Sequence, residues 1–440
     1  MQPFAPQRPT LLSRPDEPRR LALALLLFST IALTGFGLVM LYSTSYAMFG
    51  PRYMIRQSLW IAGGGFLVWI TARIGHERLI RWGPGLLLIL ILALAYLGLA
   101  AFLAGPPLHW KSLAAHFPFV RRIKGAYRWL RIGPVTLQPS EFAAPLVSLY
   151  LAGYYHRYAR KVERFWGGFV FPAILPGAAI VLILLGRNLS MTLITGSLVM
   201  VLMFVAGVRL RYLLLLIALG VGVLYGVVAV SPVRAQRFLA YRNPEKFCRK
   251  EGYQLWHSEM ALGDGGMFGV GFTRSRMKQK YLPEAHTDFI LAIVGEEFGF
   301  MAMAGVIALY ALTVLAILLV GALAADRSGT LLCTGVGTAL AAHAFVNLGV
   351  ISGLLPTTGV TAPFISYGGS SMLASAVGIG LVFGVYRHAV QSRLSAGREA
   401  QWTPAAFPGG SRKRADASSA RIQSDRCGLR AARSPGNAVE

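Results

Sequence analysis

The chain has 440 residues, of which 55% are hydrophobic and only 14% are charged. A water-soluble domain of this size carries more charge on its surface, so the composition argues against that class and indicates a membrane protein. The formal net charge of +25 is carried by tails and loops between apolar runs. This favours anionic lipid or a phosphate-bearing substrate as the counterpart, and not nucleic acid.

The chain begins with a polar, basic stretch over residues 1–20, which is predicted to be a cytoplasmic tail. Beyond it lie apolar runs that are long enough to cross about 30 Å of hydrocarbon. Because backbone groups inside lipid must pair within their own segment, each run is predicted to be a helix. The predicted spans are 21–43, 57–75, 84–104, 141–155, 168–186, 190–207, 210–231, 288–320, 330–351 and 369–388. The sequence therefore predicts an all-α, polytopic membrane domain over 21–388 and a basic, disordered cytoplasmic tail over 389–440.

The distribution of Lys and Arg sets the predicted orientation. If all ten predicted spans cross the membrane, basic turns such as 73–82 and 156–166 fall on the same side as both termini. By the positive-inside rule that side is cytoplasmic, so the longer loops 105–139 and 232–286 lie outside. The first of these loops has six basic residues and no acidic one. Its charge is either ordinary solvated charge or an outer surface that binds an anion such as a lipid pyrophosphate.

Several other patterns argue against particular kinds of site. Cys248, Cys333 and Cys427 fall in a loop, a span and the tail, so no disulfide framework is predicted. The glycine-rich stretch 263–271 lacks the third glycine of a dinucleotide-binding fingerprint, because Phe268 stands there. No residues have the spacing of metal ligands in the sequence, and no metal site is predicted.

Four segments of the chain resemble the SEDS family (shape, elongation, division and sporulation). They read VMLYSTS at 39–45 with PRYMIRQ at 51–57, GAYRWL at 125–130 with QPSE at 138–141, GYQ at 252–254 with YLPEAHTDF at 281–289 and GEE at 295–297, and GLLPTTG at 353–359 with PFISYGGSS at 363–371. Their order and spacing are specific, and they span most of the membrane region. Residues 280–286 and 51–53 are more similar to the division branch, the FtsW proteins, than to the elongation branch, the RodA proteins.

The chain departs from the family pattern at three positions that bear on substrate binding. Ala144 replaces a Lys that is common after the Gln-Pro-Ser-Glu motif, and Asn188 stands in a corner where Pro-Asp is usual. Thr358 occupies a position that is usually Lys in the FtsW branch. The departures leave the resemblance intact and put the usual contacts to substrate at those corners in question.

The resemblance implies a SEDS fold and the polymerisation of lipid II outside the membrane, at the division septum. The 4-hydroxyl of one disaccharide attacks the anomeric carbon of another, and undecaprenyl pyrophosphate leaves. This inverting displacement needs a base for the hydroxyl and cations for the diphosphate, but no second carboxylate as nucleophile. The residue that matches the family's base is Asp288. The alternative for Asp288 is a purely structural place in a first helical turn capped by Thr287.

Other residues in these motifs are predicted to bind the substrate. The fork of Arg128 suits phosphate oxygens. Glu141 either lines the outer cavity or is a first-turn acid behind a capping Ser140. His286 is either a proton carrier or an ordinary hydrogen-bonding group. The full predicted set is Arg128, Gln138, Glu141, Lys280, His286, Thr358, Ser366 and Ser370.

Polar residues inside the spans need a physical reason. Glu296 and Glu297 are costly at such depth, which predicts a polar cavity or a bond between helices. His343 and Asn347 are four residues apart on one face and are predicted to pack between helices. No cofactor is predicted with certainty, although a divalent cation such as Mg²⁺ that bridges Asp288 or the diphosphate fits the chemistry.

The implied partners are lipid II, membrane lipids, a class B penicillin-binding protein and divisome membrane proteins, in the bacterial inner membrane. A flippase for the lipid-linked precursor, a RodA-like polymerase of side-wall elongation and a recruiting scaffold are the alternatives. A transport path needs polar residues through the full depth of the membrane. The candidate base and the strongest basic loops are instead predicted to face outside, which favours the enzyme.

Overall fold

The computed structural model describes residues 17–104, 117–123, 126–230, 232–242, 244–247, 252–279 and 281–402. Its helices are α1 Glu17–Phe49, α2 Arg52–Ile74, α3 His76–Ala104, α4 Ala143–Arg157, α5 Phe171–Leu185, α6 Leu189–Val205, α7 Leu210–Ala229, α8 Pro232–Arg242, α9 Tyr253–Gly265, α10 Ile290–Ala322, α11 Arg327–Ile351 and α12 Gly369–Trp402. The chain divides after Val390. The helices α1 to α11 and the first part of α12 belong to one compact unit, and Gln391–Trp402 belongs to the other.

Every predicted span coincides with one of these helices, which confirms the all-α membrane fold. Seven helices of the described chain are long and apolar enough to cross a membrane. They are α1, α3, α5 with the turn before it, α7, α10, α11 and α12. Helices α2, α4 and α6 fall short in length or apolar content, so a total of ten crossings stays a prediction.

Helices α10 and α7 show the two extremes of burial in the bundle. Helix α10 packs against α1, α9 and α11, and every residue of its first two turns, from Ile290 to Glu297, is buried. Helix α7 is equally apolar, yet Leu213 is its one buried residue. A helix that is apolar on nearly all of an exposed surface is suited to contact with lipid. The core therefore lies around α10.

Helix α10 is kinked at Gly299, whose φ of 74° and ψ of −169° are not helical. Such a break frees backbone groups for other partners. The Phe300 N–H donates to the carbonyl of Gly266 at 2.9 Å, so the loop after α9 pairs with the kink. A Cβ on Gly265 would come within 1.9 Å of the Gly295 carbonyl oxygen. The glycine-rich stretch therefore serves close packing against α10.

The two predicted outer loops contain ordered elements that the sequence did not indicate. The first holds an antiparallel sheet of β1 Val120–Ile123, β2 Ala126–Ile132 and β3 Val135–Leu137, in the order β1-β2-β3. In its register Leu130 of β2 lies opposite Val120 on one side and Leu137 on the other. The second loop holds α8 and α9. These segments are therefore scaffolds that can hold side chains at fixed positions.

Helix α12 ends later than the sequence indicates. It continues to Trp402, so the predicted disorder from residue 389 is wrong as far as 402. The stretch contains several Ala, Arg and Gln residues, which favour helix, and extending an existing helix needs no new nucleation. Its lack of apolar periodicity was therefore a poor guide. Residues 1–16 and 403–440, the rest of the predicted tails, lie outside the described residues.

Candidate active site

Asp288 lies just before α10 and is not part of a helix cap. The helix begins at Ile290, and its N-cap residue Phe289 makes no side-chain cap hydrogen bond. The Thr287 hydroxyl donates to the Glu284 side chain at 2.8 Å. The predicted capping role of Thr287 is therefore wrong. The N-cap position is Phe289, two residues further along the chain, and the Thr287 hydroxyl is bonded within the loop. Asp288 is half-buried in the loop.

Asn347 of α11 fixes the backbone around Asp288. Its Nδ2 donates to the carbonyl oxygen of Asp288 at 2.8 Å and to that of Val360 at 2.6 Å. One buried amide thus joins α11, the Asp288 loop and the loop between α11 and α12. A Cβ on Gly359 would lie 3.2 Å from Asp288 Oδ2. The carboxylate therefore faces a position where only glycine leaves it full room. Asn347 was predicted to pack between helices; its amide instead joins its own helix to two loops.

Glu141 lies in a 3-10 turn, Pro139–Phe142, immediately before α4. No side-chain cap precedes that turn, and the Ser140 hydroxyl instead accepts from Gln138 Nε2 at 3.0 Å. The predicted capping role of Ser140 is therefore wrong. Glu141 Oε2 lies 3.9 Å from Nε2 of His343, which is on α11. Burial, and then the negative charge of Asp288, raise the pKa of the Glu141 carboxyl to about 7.

The raised pKa of Glu141 gives a pH-dependent stability. The pKa is about 7 in the folded protein against an ordinary value of 4.5, so between these pH values the folded state holds more protons. Stability must then fall as the pH rises through this window. Glu141→Gln removes this titration, so its free energy of unfolding should rise relative to that of the wild type by about 2.5 kcal/mol between pH 5 and pH 8. Thermal unfolding in detergent at several pH values measures this difference. If the stability of the wild type and that of Glu141→Gln changed with pH in the same way, the raised pKa of Glu141 would be contradicted.

A small cavity of about 50 Å³ opens beside Glu141 and His343. It is lined further by apolar and small residues of α4, α11 and α12. A space of this volume holds one or a few water molecules. The cavity therefore suits one or a few water molecules hydrogen-bonded between Glu141 and His343.

The predicted serines join the segments around the site. Ser370 Oγ accepts from the Gln138 backbone N–H at 2.8 Å, which ties the start of α12 to the turn before α4. Ser366 Oγ accepts from the Ala362 N–H at 2.8 Å within the loop before α12. The Thr358 hydroxyl of the same loop is buried and has no hydrogen-bond partner among the described residues. Substrate binding by these groups stays a prediction.

His286 belongs to an aromatic cluster that sequence reasoning missed. Its ring centroid lies 4.8 Å from that of Tyr53 and 6.1 Å from that of Tyr367. The Tyr367 N–H donates to the His286 carbonyl at 3.0 Å, and its hydroxyl is hydrogen-bonded to Arg56. Both tyrosines stand in the family-like motifs, which was the available signal. The cluster holds Arg56, a cation, near the Asp288 loop.

Arg128 and Lys280 were predicted to contact phosphate. In the structure Arg128 Nε donates to the Gly186 carbonyl at 2.9 Å, and an Nη donates to the carbonyl of Arg187. Arg128 therefore fastens the sheet to the corner after α5, the corner where the chain departs from the family pattern. Its phosphate role stays a prediction. Lys280 lies outside the described residues.

The buried glutamates of α10 form a closed ionic network. Glu297 Oε1 accepts from Lys278 Nζ at 2.6 Å and from the Ser43 hydroxyl at 2.7 Å. Glu296 accepts from the Ser275 hydroxyl and from the Arg276 N–H, the latter at 2.7 Å. Both carboxylates therefore bond α10 to the preceding loop, and Glu297 also to α1. The predicted bond between helices is therefore confirmed for Glu297, while Glu296 bonds to the loop.

Comparison with known proteins places the chain in a family. A family model described as a cell cycle protein, covering FtsW, RodA and SpoVE, matches residues 24–391. A probable peptidoglycan glycosyltransferase FtsW from Geobacter metallireducens is 35% identical over 366 residues, 82% of this chain and 93% of that relative. A relative of the same name from Burkholderia thailandensis is 35% identical over 374 residues, 82% of this chain and 77% of its own.

Solved structures agree with this placement. One, described as "Structural coordination of polymerization and crosslinking by a peptidoglycan synthase complex", matches with a TM-score of 0.67 and 29% identity over 83% of this chain and 98% of that one. The crystal structure of the rod shape determining protein RodA of Thermus thermophilus matches with a TM-score of 0.59 and 27% identity. The match covers 82% of this chain and 95% of that one. The chain is therefore a multi-pass bacterial membrane protein that belongs to the SEDS family of FtsW, RodA and SpoVE proteins, and within that family it most resembles FtsW.

Proposed function

We propose that this chain is a peptidoglycan glycosyltransferase that polymerises lipid II at the outer face of the inner membrane, with Asp288 as its base. The observation that carries the proposal is the placement of Asp288. Its backbone is held by Asn347, and its carboxylate faces Gly359 at the edge of the membrane domain. The names of the FtsW relatives supply the reaction class.

The roles of the two carboxyl groups follow from their surroundings. Glu141 is buried and keeps its proton up to a pKa of about 7, partly because of the charge on Asp288. When two carboxyl groups share a site, the group with the raised pKa is the neutral one. The base role therefore falls to Asp288. A single ionised carboxylate is enough for an inverting displacement.

The reaction balances with these groups. The Asp288 carboxylate takes the proton of the acceptor's 4-hydroxyl as that oxygen bonds to the donor's anomeric carbon. The bond from that carbon to the pyrophosphate oxygen breaks on the opposite face, and undecaprenyl pyrophosphate leaves with the electron pair. Cations must stabilise the departing diphosphate. Arg128, Lys280 and Arg56 are the protein groups we propose for this, and a divalent cation such as Mg²⁺ would supply further charge.

Thr358 offers a direct test of how the diphosphate is bound. Its buried hydroxyl has no partner among the described residues, and it precedes Gly359, which faces Asp288. Thr358→Lys should raise the polymerisation rate several-fold, since it adds a cation next to the site. Thr358→Met, similar in length but uncharged, is the control. An unchanged or lower rate with Lys would show that Arg128 or Lys280 carries this role.

The cellular setting is also a proposal. One similar solved structure is described as a peptidoglycan synthase complex of polymerisation and crosslinking. We propose accordingly that this chain acts with a class B penicillin-binding protein that crosslinks the strands. The FtsW-like motifs support a place at the division septum with other divisome membrane proteins.

An assay of the purified protein on fluorescent lipid II in liposomes separates the candidate functions. Glycan ladders that are lost in Asp288→Ala support the polymerase. Movement of the headgroup across the bilayer without ladders would identify a flippase, and neither activity with retained partner binding would leave a scaffold. The flippase is disfavoured by the network around Glu297, whose buried charges are satisfied by each other and so line no open path.

A further inference from the structure

Three side chains from distant parts of the sequence meet at the membrane end opposite Asp288. They are His76 at the start of α3, Asp326 at the start of α11 and His388 on α12. One ligand atom from each lies within 4.8 Å of the others. Helix α10 separates this cluster from Asp288, because it begins after Asp288 and ends before Asp326. The cluster is therefore independent of the candidate active site.

The distances suit a small metal ion. Asp326 Oδ1 lies 3.3 Å from His76 Nε2 and 3.7 Å from His388 Nδ1. Two ligands of a tetrahedral zinc ion, each about 2.0–2.1 Å from the metal, are about 3.3 Å apart. The distance from Asp326 Oδ1 to His388 Nδ1 is too long for a hydrogen bond. A metal ion between the three side chains would bind the carboxylate oxygen and both imidazole nitrogens. Two imidazoles and one carboxylate are typical zinc donors.

The remaining atoms of the cluster are arranged as support for such ligands. Asp326 Oδ2 accepts from the Ser328 hydroxyl and from the Gly329 N–H, which leaves Oδ1 facing the two histidines. The other nitrogen of His388, Nε2, lies 2.9 Å from Glu77 Oε1. A carboxylate on the far nitrogen of a metal-bound histidine fixes its tautomer and orientation. Glu77 is therefore placed to orient the His388 ring toward a metal ion.

Burial and charge are compatible with an ion that enters from water. His76 is 1% exposed, and its Nδ1 has no hydrogen-bond partner among the described residues. The side chains of Asp326 and His388 are 20% and 29% exposed, so one side of the cluster is open. The nearby guanidinium group of Arg387 donates to the carbonyl of Ala72. The acidic side chains of Asp326 and Glu77 offset the charge of an added dication.

We propose that His76, Asp326 and His388 bind a divalent transition-metal ion, with Zn²⁺ the best fit, and that Glu77 orients His388. The ion would link three helices to one another: α3 at its start, α11 at its start, and α12. Its expected effect is on stability, since helix α10 separates the ion from Asp288.

The test uses untagged full-length protein in detergent, stripped with a chelator and then exposed to Zn²⁺ or Co²⁺. We expect about one zinc per chain by elemental analysis, a visible Co²⁺ spectrum of tetrahedral type, and a higher melting temperature with Zn²⁺. His388→Ala should lose the metal and the thermal shift. Glu77→Gln should weaken binding by about 10- to 100-fold.

The matched control is His156→Ala, which removes an exposed histidine at the end of α4 and should leave binding unchanged. Circular dichroism checks that each variant is folded. Zinc content no higher in the wild type than in His388→Ala, or equal binding by Glu77→Gln and the wild type, would overturn the proposal. Because the readouts are metal content and melting temperature, the result does not depend on the polymerase activity.

Discussion

Asp288→Asn should lower the rate of lipid II polymerisation by about 10²- to 10⁴-fold, the usual contribution of a general base. The amide has nearly the size of the carboxylate but cannot accept the proton of the acceptor hydroxyl at neutral pH. The backbone contact with Asn347 uses the Asp288 carbonyl oxygen and is unaffected. The melting temperature should therefore stay close to that of the wild type. Rates of glycan ladder formation in liposomes measure the effect.

Asp264→Asn is the matched control for this substitution. Asp264 is an exposed residue on α9, and the same chemical change there should leave the rate within about twofold, as is usual for surface sites. Comparable activity of the two variants would remove Asp288 from the proposed chemistry. A large loss of melting temperature in Asp288→Asn would instead assign Asp288 a structural role.

Lys278→Met should destabilise the protein by about 3–5 kcal/mol, because it leaves a buried carboxylate without its counterion. Lys278 Nζ lies 2.6 Å from Glu297 Oε1, and the two side chains are 9% and 0% exposed. The Ser43 hydroxyl of α1 bonds to the same pair, so the loss also loosens α1 from α10. Unfolding by heat or by a denaturing detergent reports the change.

The double variant Lys278→Met/Glu297→Met separates the cost of an unpaired buried carboxylate from the contribution of the ion pair itself. Replacing a whole buried ion pair by apolar groups is often nearly neutral, so the double variant should recover most of the lost stability. Lys246→Met, at an exposed lysine, should change stability by no more than about 0.5 kcal/mol. A single variant as stable as this control would mean that the pair contributes little.

The sequence predicted those parts of the fold that depend on composition along one segment. The membrane helices follow from apolar runs, because lipid forces the backbone of each run to pair with itself. Glu296 and Glu297 were predicted to have partners because carboxylates at that depth are costly. Asp288 was singled out because it matches a family motif. The residues around it predicted instead a place in a first helical turn, which the structure does not have.

Features that depend on distant segments were beyond the sequence. Nothing local shows that Asn347 holds the Asp288 carbonyl, since 58 positions separate them between 289 and 346. The sheet around Leu130 pairs strands in a loop with no clear alternation. His76, Asp326 and His388 have no ligand spacing in the chain, and only helix packing brings them together. Tertiary contacts of this kind need the fold before they can be seen.

All of the proposed chemistry requires Asp288 to lie at the outer face of the membrane, and cysteine labelling tests this directly. With the native cysteines replaced by alanine, Tyr281→Cys places a thiol at an exposed position in the Asp288 loop. His156→Cys places one at the opposite end, in the last turn of α4. A membrane-impermeant maleimide should label Tyr281→Cys in intact spheroplasts and label His156→Cys only after lysis. Labelling with the reverse pattern would put Asp288 in the cytoplasm and contradict the proposed polymerase.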